Sequence, residues 1–260
     1  MLKTKKAIFI DIDGTLIEGQ KGPFNDDISA IQEARSIGNL VFINSGRSYA
    51  NIPPHIINAG FFDGVICGAG SHVLIDGKTI YHKWINPHLL RLVCNYYFNS
   101  DKWCIFEGES KVLSINKINF SLMLGTAIDV KTIDEMFTKY KDELITKISS
   151  GSKFGGTLEK DEEKLLDEYF TVHVYDEYAE GILKGESKAN GIKVVQKEIN
   201  IDQKNIIAIG DSLNDMDMIE YAGVGVAMGN ACGELKNMAD FITADCGCGG
   251  VANAIKKFVM

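Results

Sequence analysis

The sequence predicts an α/β protein: a parallel-sheet core split by an inserted α+β domain. Three observations predict it. Short apolar runs alternate with helix-patterned stretches at the start of the chain; the alternation breaks at Asn86-Pro87, where strand runs mix with helices; and it returns after Gly185. A chain of 260 residues is long for one domain. The breaks divide it into a discontinuous core, residues 1–82 and 185–260, and an insert, residues 83–184.

Ala7-Ile8-Phe9-Ile10 reads as a buried strand. Asn25 or Asp26 can cap a following helix in which Ile28, Ile31 and Ile37 suit a buried stripe, and Gly38 suits its end. Leu40-Val41-Phe42-Ile43-Asn44 is a second strand, a proline-interrupted helical segment leads to Gly60, and Gly64-Val65-Ile66-Cys67 is a third. Asp76-Gly77 between two short apolar runs signals a hairpin. In the insert, Pro87 opens a helix, and residues 103–106 with 111–115, then 170–174 with 182–183, read as strand pairs. Residues 152–157 read as an exposed connector, the alternative being a flexible loop that reaches the site. The core resumes with a helix from Ser187 to Ile199, a strand at 206–209, a helix after Asp211, a strand at 224–227 and a closing helix at 251–259.

Composition narrows the function classes. A formal net charge of −8 argues against binding a nucleic-acid backbone, while leaving small phosphate ligands open. No apolar stretch is long enough to cross a bilayer, and the apolar run after the basic start Met1-Leu2-Lys3-Thr4-Lys5-Lys6 is too short for a signal peptide. The six cysteines show no Cys-x-x-Cys zinc spacing, so reduced thiols in a cytoplasm are expected. Cys246-Gly247-Cys248 reads as a loop with two unpaired thiols, with a reactive pair as the alternative, and the five scattered histidines receive no role.

Four clusters fall where core strands end or core helices begin. Asp11 and Asp13 close the first strand on one face, where acids need a metal or hydrogen-bond network to offset desolvation. They read as a Mg²⁺-binding pair at the carboxyl end of a parallel sheet, the alternative being a surface Asp-Gly turn. Asn44-Ser45-Gly46-Arg47 offers a hydroxyl and a glycine at a helix start, suited to an anion or to capping alone. Lys188 stands at a helix N-terminus, where a cation is disfavoured unless something anionic is near; a solvated surface lysine is the alternative. In Gly210-Asp211-Ser212-Leu213-Asn214-Asp215, the two acids are four apart, on one face of a helix start. Together these groups match phosphoryl transfer through a carboxylate nucleophile.

Asp11-Ile12-Asp13-Gly14-Thr15, Ser45-Gly46-Arg47, Lys188 and the Gly210-to-Asp215 run resemble, in order, the four motifs of the haloacid dehalogenase-like superfamily. The insert between the second and third resembles the cap domain of its Cof-type sugar-phosphatase branch. Phe62-Asp63-Gly64-Val65-Ile66-Cys67-Gly68-Ala69-Gly70 and Asp240-Phe241-Ile242-Thr243 are similar to that branch's flanking signatures. The similarity runs from about residue 6 to the end and is weakest over the insert. Ser45 stands where threonine is common and keeps the hydroxyl; Glu186 and Ala189 depart from the pattern around Lys188, and Lys184 is a second lysine four residues earlier.

The resemblance implies a Rossmann-like core and a Mg²⁺-dependent phosphatase of small phosphate monoesters, sugar phosphates or related metabolites. It implies Asp11 as nucleophile, Asp13 as general acid and base, and Ser45, Gly46, Arg47, Lys188 and Asn214 as substrate contacts. Mg²⁺ would be held by Asp11, the Asp13 carbonyl and Asp211, with Asp215 and Asn214 orienting Lys188 and the metal's waters; Arg47 would contact the phosphate or the insert, a surface ion pair being the alternative. A small phosphorylated metabolite is the expected partner of a monomer or homodimer. A phosphomutase or phosphotransferase sharing the aspartyl-phosphate, and a non-catalytic phosphometabolite-binding protein, are the alternatives; a dehalogenase would have no use for Asp13 or the acidic fourth motif.

Overall fold

The computed structural model describes residues 5–116, 127–152 and 155–260. By internal contacts the chain divides into two units: Met1–Gly46, Pro54–Tyr81 and Ser187–Met260 form the first, and Arg47–Pro53 with His82–Glu186 the second. Residues 47–53 thus group with the insert.

The elements, in chain order, begin with β1 (Ala7–Ile10), α1 (Asn25–Ser36), β2 (Leu40–Asn44), α2 (Pro54–Ile57), β3 (Gly64–Cys67), β4 (His72–Ile75) and β5 (Lys78–His82). The insert contributes α3 (Pro87–Phe98), β6 (Trp103–Glu107), β7 (Val112–Ile115), β8 (Ile128–Asp129), α4 (Ile133–Thr138), β9 (Lys147–Gly151), α5 (Lys160–Tyr169), β10 (Phe170–Val174) and β11 (Ala179–Leu183). The chain closes with α6 (Lys188–Ile199), β12 (Ile206–Gly210), α7 (Met216–Tyr221), β13 (Val224–Ala227), α8 (Gly233–Met238), β14 (Phe241–Ile242) and α9 (Gly250–Phe258).

The first unit is a Rossmann-like sheet in the order β14-β13-β12-β1-β2-β3-β4-β5, parallel from β14 to β3, with β4 antiparallel to β3. Every residue of β1 is fully buried, as a strand covered on both faces requires, and Phe9 stacks on Phe42 of β2 at 5.1 Å between ring centroids. From β1 the chain moves through β2 to β3 on one side; from β12 it moves through β13 to β14 on the other. The β12/β1 boundary is therefore the topological switch point, where open α/β sheets place their ligands beyond the carboxyl ends.

α1 differs from the expected stripe. Its buried face is Asp27, Ala30, Ile31 and Ala34, while Ile37 lies past the helix end and is 50 % exposed. Gly38 (φ +94°) does turn the chain there. Asp27 can occupy a core position because its carboxylate accepts a hydrogen bond from Ala252 N at 2.8 Å, satisfying one of the open N–H groups in the first turn of α9.

The second unit is a six-stranded sheet ordered β10-β11-β9-β6-β7-β8. Its core gathers Leu89, Val93 and Tyr97 of α3, Phe106 of β6 and Phe170 of β10. The sequence pattern did not reveal β9, which lies between β11 and β6 with all five residues buried. Lys147-Ile148-Ser149-Ser150-Gly151 reads as polar because its partners lie elsewhere in the chain. Lys147 pairs with Glu107 (3.2 Å) and Glu180 (2.5 Å), and Ser150 Oγ donates to Glu162 at 3.0 Å. Of the anticipated connector at 152–157, Ser152 and Gly155 bond backbone to backbone (3.0 and 3.2 Å); residues 153 and 154 lie outside the described residues.

Fully buried Glu162 also accepts from Tyr97 Oη (2.8 Å) and pairs with buried Lys102. Lys102→Met removes the cation paired with Glu162 and leaves a carboxylate desolvated. Urea unfolding should register a loss of roughly 3–5 kcal/mol; a loss below about 1 kcal/mol would contradict this account of the network.

Among the described residues, no helix is long and apolar enough to cross a membrane. All six cysteines are free thiols, Cys248 the exposed one.

Candidate active site

Parallel register sets the site. Ile10 lies beside Ile209 of β12 and Ile43 of β2, so the loops opening at Asp11, Gly210 and Asn44 leave the sheet side by side. Asp11 N donates to Ile209 O at 3.0 Å, which fixes where that carboxylate begins.

Four charged side chains converge there. Lys188 Nζ donates to Asp11 Oδ1 at 2.6 Å and to Asp215 Oδ1 at 2.5 Å, with Asn214 Oδ1 farther off at 3.4 Å. Lys188 is 2 % exposed, Asp11 4 % and Asp215 0 %. Burial alone would lower the Lys188 pKa, but the two carboxylates outweigh it and hold the ammonium charged, well above its ordinary range. Asp11 is pushed up to about 8 by burial, against the pull of Lys188 and with the push of Asp215 and Asp211. Asp211 is raised to about 6 by burial and by Asp215. Lys184, the alternative lysine, donates instead to the Asp167 carbonyl.

The fourth motif is organised differently from the helix start expected of it. Leu213–Asp215 is a 3-10 turn and the α-helix begins only at Met216, so Asp211 precedes any helix. Asp215 Oδ2 accepts from Ser212 N (3.0 Å) in a Ser212–Asp215 capping box and also from Asp211 N (2.9 Å), which ties the two acids together. With its other oxygen on Lys188, Asp215 acts as a rigid spacer between the lysine and Asp211.

Three further residues support the cluster. Thr15 Oγ1 donates to Asp211 Oδ1 at 3.3 Å. Asn44, fully buried, donates to Lys188 O at 3.2 Å, and Asp217 accepts from Ala189 N at 2.9 Å. Asp217 and the Ser187 cap, whose Oγ accepts from Asn190 N at 3.2 Å, satisfy the N-terminus of α6 and so make Lys188 tolerable there. Thr15 and Asn44 stood inside the motifs without a role, and no local pattern pointed to Asp217.

The remaining candidates lie around this group. Asp13 is exposed, in the turn where Gly14 N donates to Ile17 O at 2.8 Å. Ser45 is buried at the end of β2, its backbone held by Ile66 O (2.9 Å) and Ala69 N (3.1 Å). A Cβ on Gly46 would stand 3.5 Å from Asn214 Nδ2. Arg47 opens the second unit, where its guanidinium donates to Asn51 O at 3.1 Å.

The donor set fits a hard divalent cation. Carboxylate oxygens of Asp11, Asp211 and Asp215 lie within 4.8 Å of one another, and a single ammonium among them leaves two surplus negative charges. Lys188 engages Asp11 through Oδ1. Gly14 makes the close approach possible: at φ +80°, a Cβ there would come within 2.2 Å of Asp211 Oδ2. Gly14→Ala must therefore displace Asp211, and calorimetric Mg²⁺ titration should show affinity at least about tenfold weaker. Unchanged affinity would mean that the Asp211 position does not matter to the cation.

Comparison with known proteins shows the family and the fold. The family model for haloacid dehalogenase-like hydrolases matches residues 8–255. The chain is 30 % identical over 255 residues to "Putative phosphatase YkrA" of Bacillus subtilis (strain 168), covering 97 % of each chain. It is 29 % identical over 257 residues to a phosphoglycolate phosphatase of Methanobrevibacter smithii, covering 98 % of each. A solved HAD subclass IIB sugar phosphatase superposes with a TM-score of 0.81 at 25 % identity, over 98 % of this chain and 99 % of that one.

Proposed function

The chain belongs to the haloacid dehalogenase-like hydrolase family and is a phosphatase of it; we propose that it is Mg²⁺-dependent and hydrolyses small phosphate monoesters through an aspartyl-phosphate on Asp11. One observation carries the reading: buried Asp11 is gripped through Oδ1 by Lys188 and stands in an acidic cluster suited to a divalent cation.

In this mechanism Asp11 Oδ2 attacks phosphorus and the bond to the leaving oxygen breaks. Asp13, exposed in the next turn, gives that oxygen its proton, then takes a proton from the water that cleaves the acyl phosphate. Lys188 pulls against the burial that raises the Asp11 pKa, orients its carboxylate and offsets charge gathering on the phosphoryl oxygens. The Ser45 hydroxyl and Gly46 N–H hold those oxygens, with Asn214 and Arg47 as further contacts. Asp11, the Asp13 carbonyl and Asp211 would hold Mg²⁺, with Asp215 behind them. Bound there, the cation supplies charge neutralisation that lets an anionic nucleophile approach an anionic ester. Names of relatives, a phosphoglycolate phosphatase and a sugar phosphatase, support small polar phosphate esters as the substrate class.

The test is inorganic phosphate release from a panel of sugar phosphates, phosphoglycolate, flavin mononucleotide and pyridoxal phosphate, with Mg²⁺ and with chelator. Turnover that needs Mg²⁺ is expected, and the ranking gives the substrate class. Sugar-phosphate isomerisation without phosphate release would overturn hydrolysis in favour of a mutase.

A further inference from the structure

The loop after β13 belongs to none of the four motifs, yet it touches two of them. Met228 N donates to Gly210 O at 2.9 Å and Cys232 N to Asp211 O at 3.0 Å, so its backbone brackets the start of the fourth motif. Between them, Asn230 Nδ2 donates to Gly14 O at 2.8 Å, across to the first motif. Its Oδ1 accepts from Cys246 N at 2.7 Å. A carbonyl only accepts and a backbone N–H only donates, so these partners fix the amide's orientation, and only a side chain with one donor and one acceptor on a short arm serves both.

The backing is firm. Gly229 N donates to Ala244 O at 3.0 Å, and a Cβ on Gly229 would fall 2.1 Å from Asp245 Oδ1, so the loop at 244–246 is packed directly behind the loop at 228–232. The Cys246-Gly247-Cys248 segment therefore enters through a backbone N–H. Burial, reinforced by Asp27, Glu18 and Asp211, pushes the Cys246 thiol up to about 12, which makes a thiolate role there unfavourable.

Gly14 is the residue whose missing Cβ lets the first motif lie against Asp211. From these contacts we infer that Asn230 is a positioning residue: a strut from the loop at 244–246 to the Gly14 carbonyl that sets the spacing between the Asp13-Gly14 turn and Asp211, and with it the affinity for the divalent cation. The inference rests on the Mg²⁺ reading of the site. Asn230 is itself exposed, so its truncation removes the strut and little packing.

The experiment is Mg²⁺ titration of the full chain, wild type and Asn230→Ala, read by calorimetry and by the Mg²⁺-induced rise in melting temperature. Asn230→Ala should bind Mg²⁺ about tenfold more weakly or worse, with the metal-free melting temperature unchanged. Its phosphatase activity should recover at high Mg²⁺, a rescue that a general folding defect would not show. Asn230→Gln, with donor and acceptor restored but on an arm one methylene too long, should regain only part of the loss. Wild type and Asn230→Ala binding Mg²⁺ within about twofold of each other would overturn the strut alone. A wild-type protein that binds no Mg²⁺ would overturn the reading of the site beneath it.

Discussion

Asp11→Asn is expected to abolish turnover, by at least about a thousandfold, in a protein that stays folded. Asparagine keeps the shape and can still meet Lys188 with its amide oxygen, but it is no nucleophile toward phosphorus. Stability should move the other way. Asp11 is a buried carboxylate in a cluster with two surplus negative charges, and burial raises its pKa to about 8. Neutralising it relieves repulsion from Asp215 and Asp211 while Lys188 keeps Asp215. The metal-free melting temperature should therefore hold or rise in the inactive variant. Residual activity within about tenfold of wild type would remove Asp11 as nucleophile.

Lys188→Met should cost both activity and stability. The methionine fills a similar volume, but Asp11 and Asp215 then face each other buried with no cation between them, and Asp215 loses the partner that holds its spacing to Asp211. Removing one side of a buried ion pair costs roughly 3–5 kcal/mol, which should appear as a large fall in the urea midpoint of the metal-free protein. Mg²⁺ should restore part of that stability by supplying positive charge to the same acids. Activity should stay at least about a hundredfold down even when the protein is folded and saturated with Mg²⁺, because the cation cannot replace a donor on Asp11 Oδ1. Full recovery at high Mg²⁺ would reduce Lys188 to a structural counter-ion.

Much of this was legible in the sequence for one physical reason. Asp11, Ser45 and Asp211 each follow an apolar strand directly, and polarity at that boundary shows in a single chain. Lys188 stood out as a cation at a helix N-terminus, and the acids that explain it are now visible as Asp11 and Asp215. Features whose logic is non-local were hidden. β9 looks like a polar loop until Glu107, Glu180 and Glu162 arrive from other elements to satisfy it. The spacing of Asp211 and Asp215 suggested a helical face, whereas a 3-10 turn and the bond from Asp211 N to Asp215 bring them together. Ile37 fitted the period of α1 but lies beyond its last turn. Asn230 has a partner 216 residues away, and nothing around it marks the role.

The central claim is that phosphate passes through Asp11. The most direct measurement mixes Asp13→Asn protein with p-nitrophenyl phosphate and Mg²⁺, since this leaving group departs without an acid while the second step lacks its base. A burst of p-nitrophenolate equal to the enzyme is expected, with mass spectrometry placing the phosphoryl group on Asp11 and no burst from the Asp11→Asn, Asp13→Asn double variant. A phosphoryl group on any other residue, or an undiminished burst from the double variant, would contradict the account.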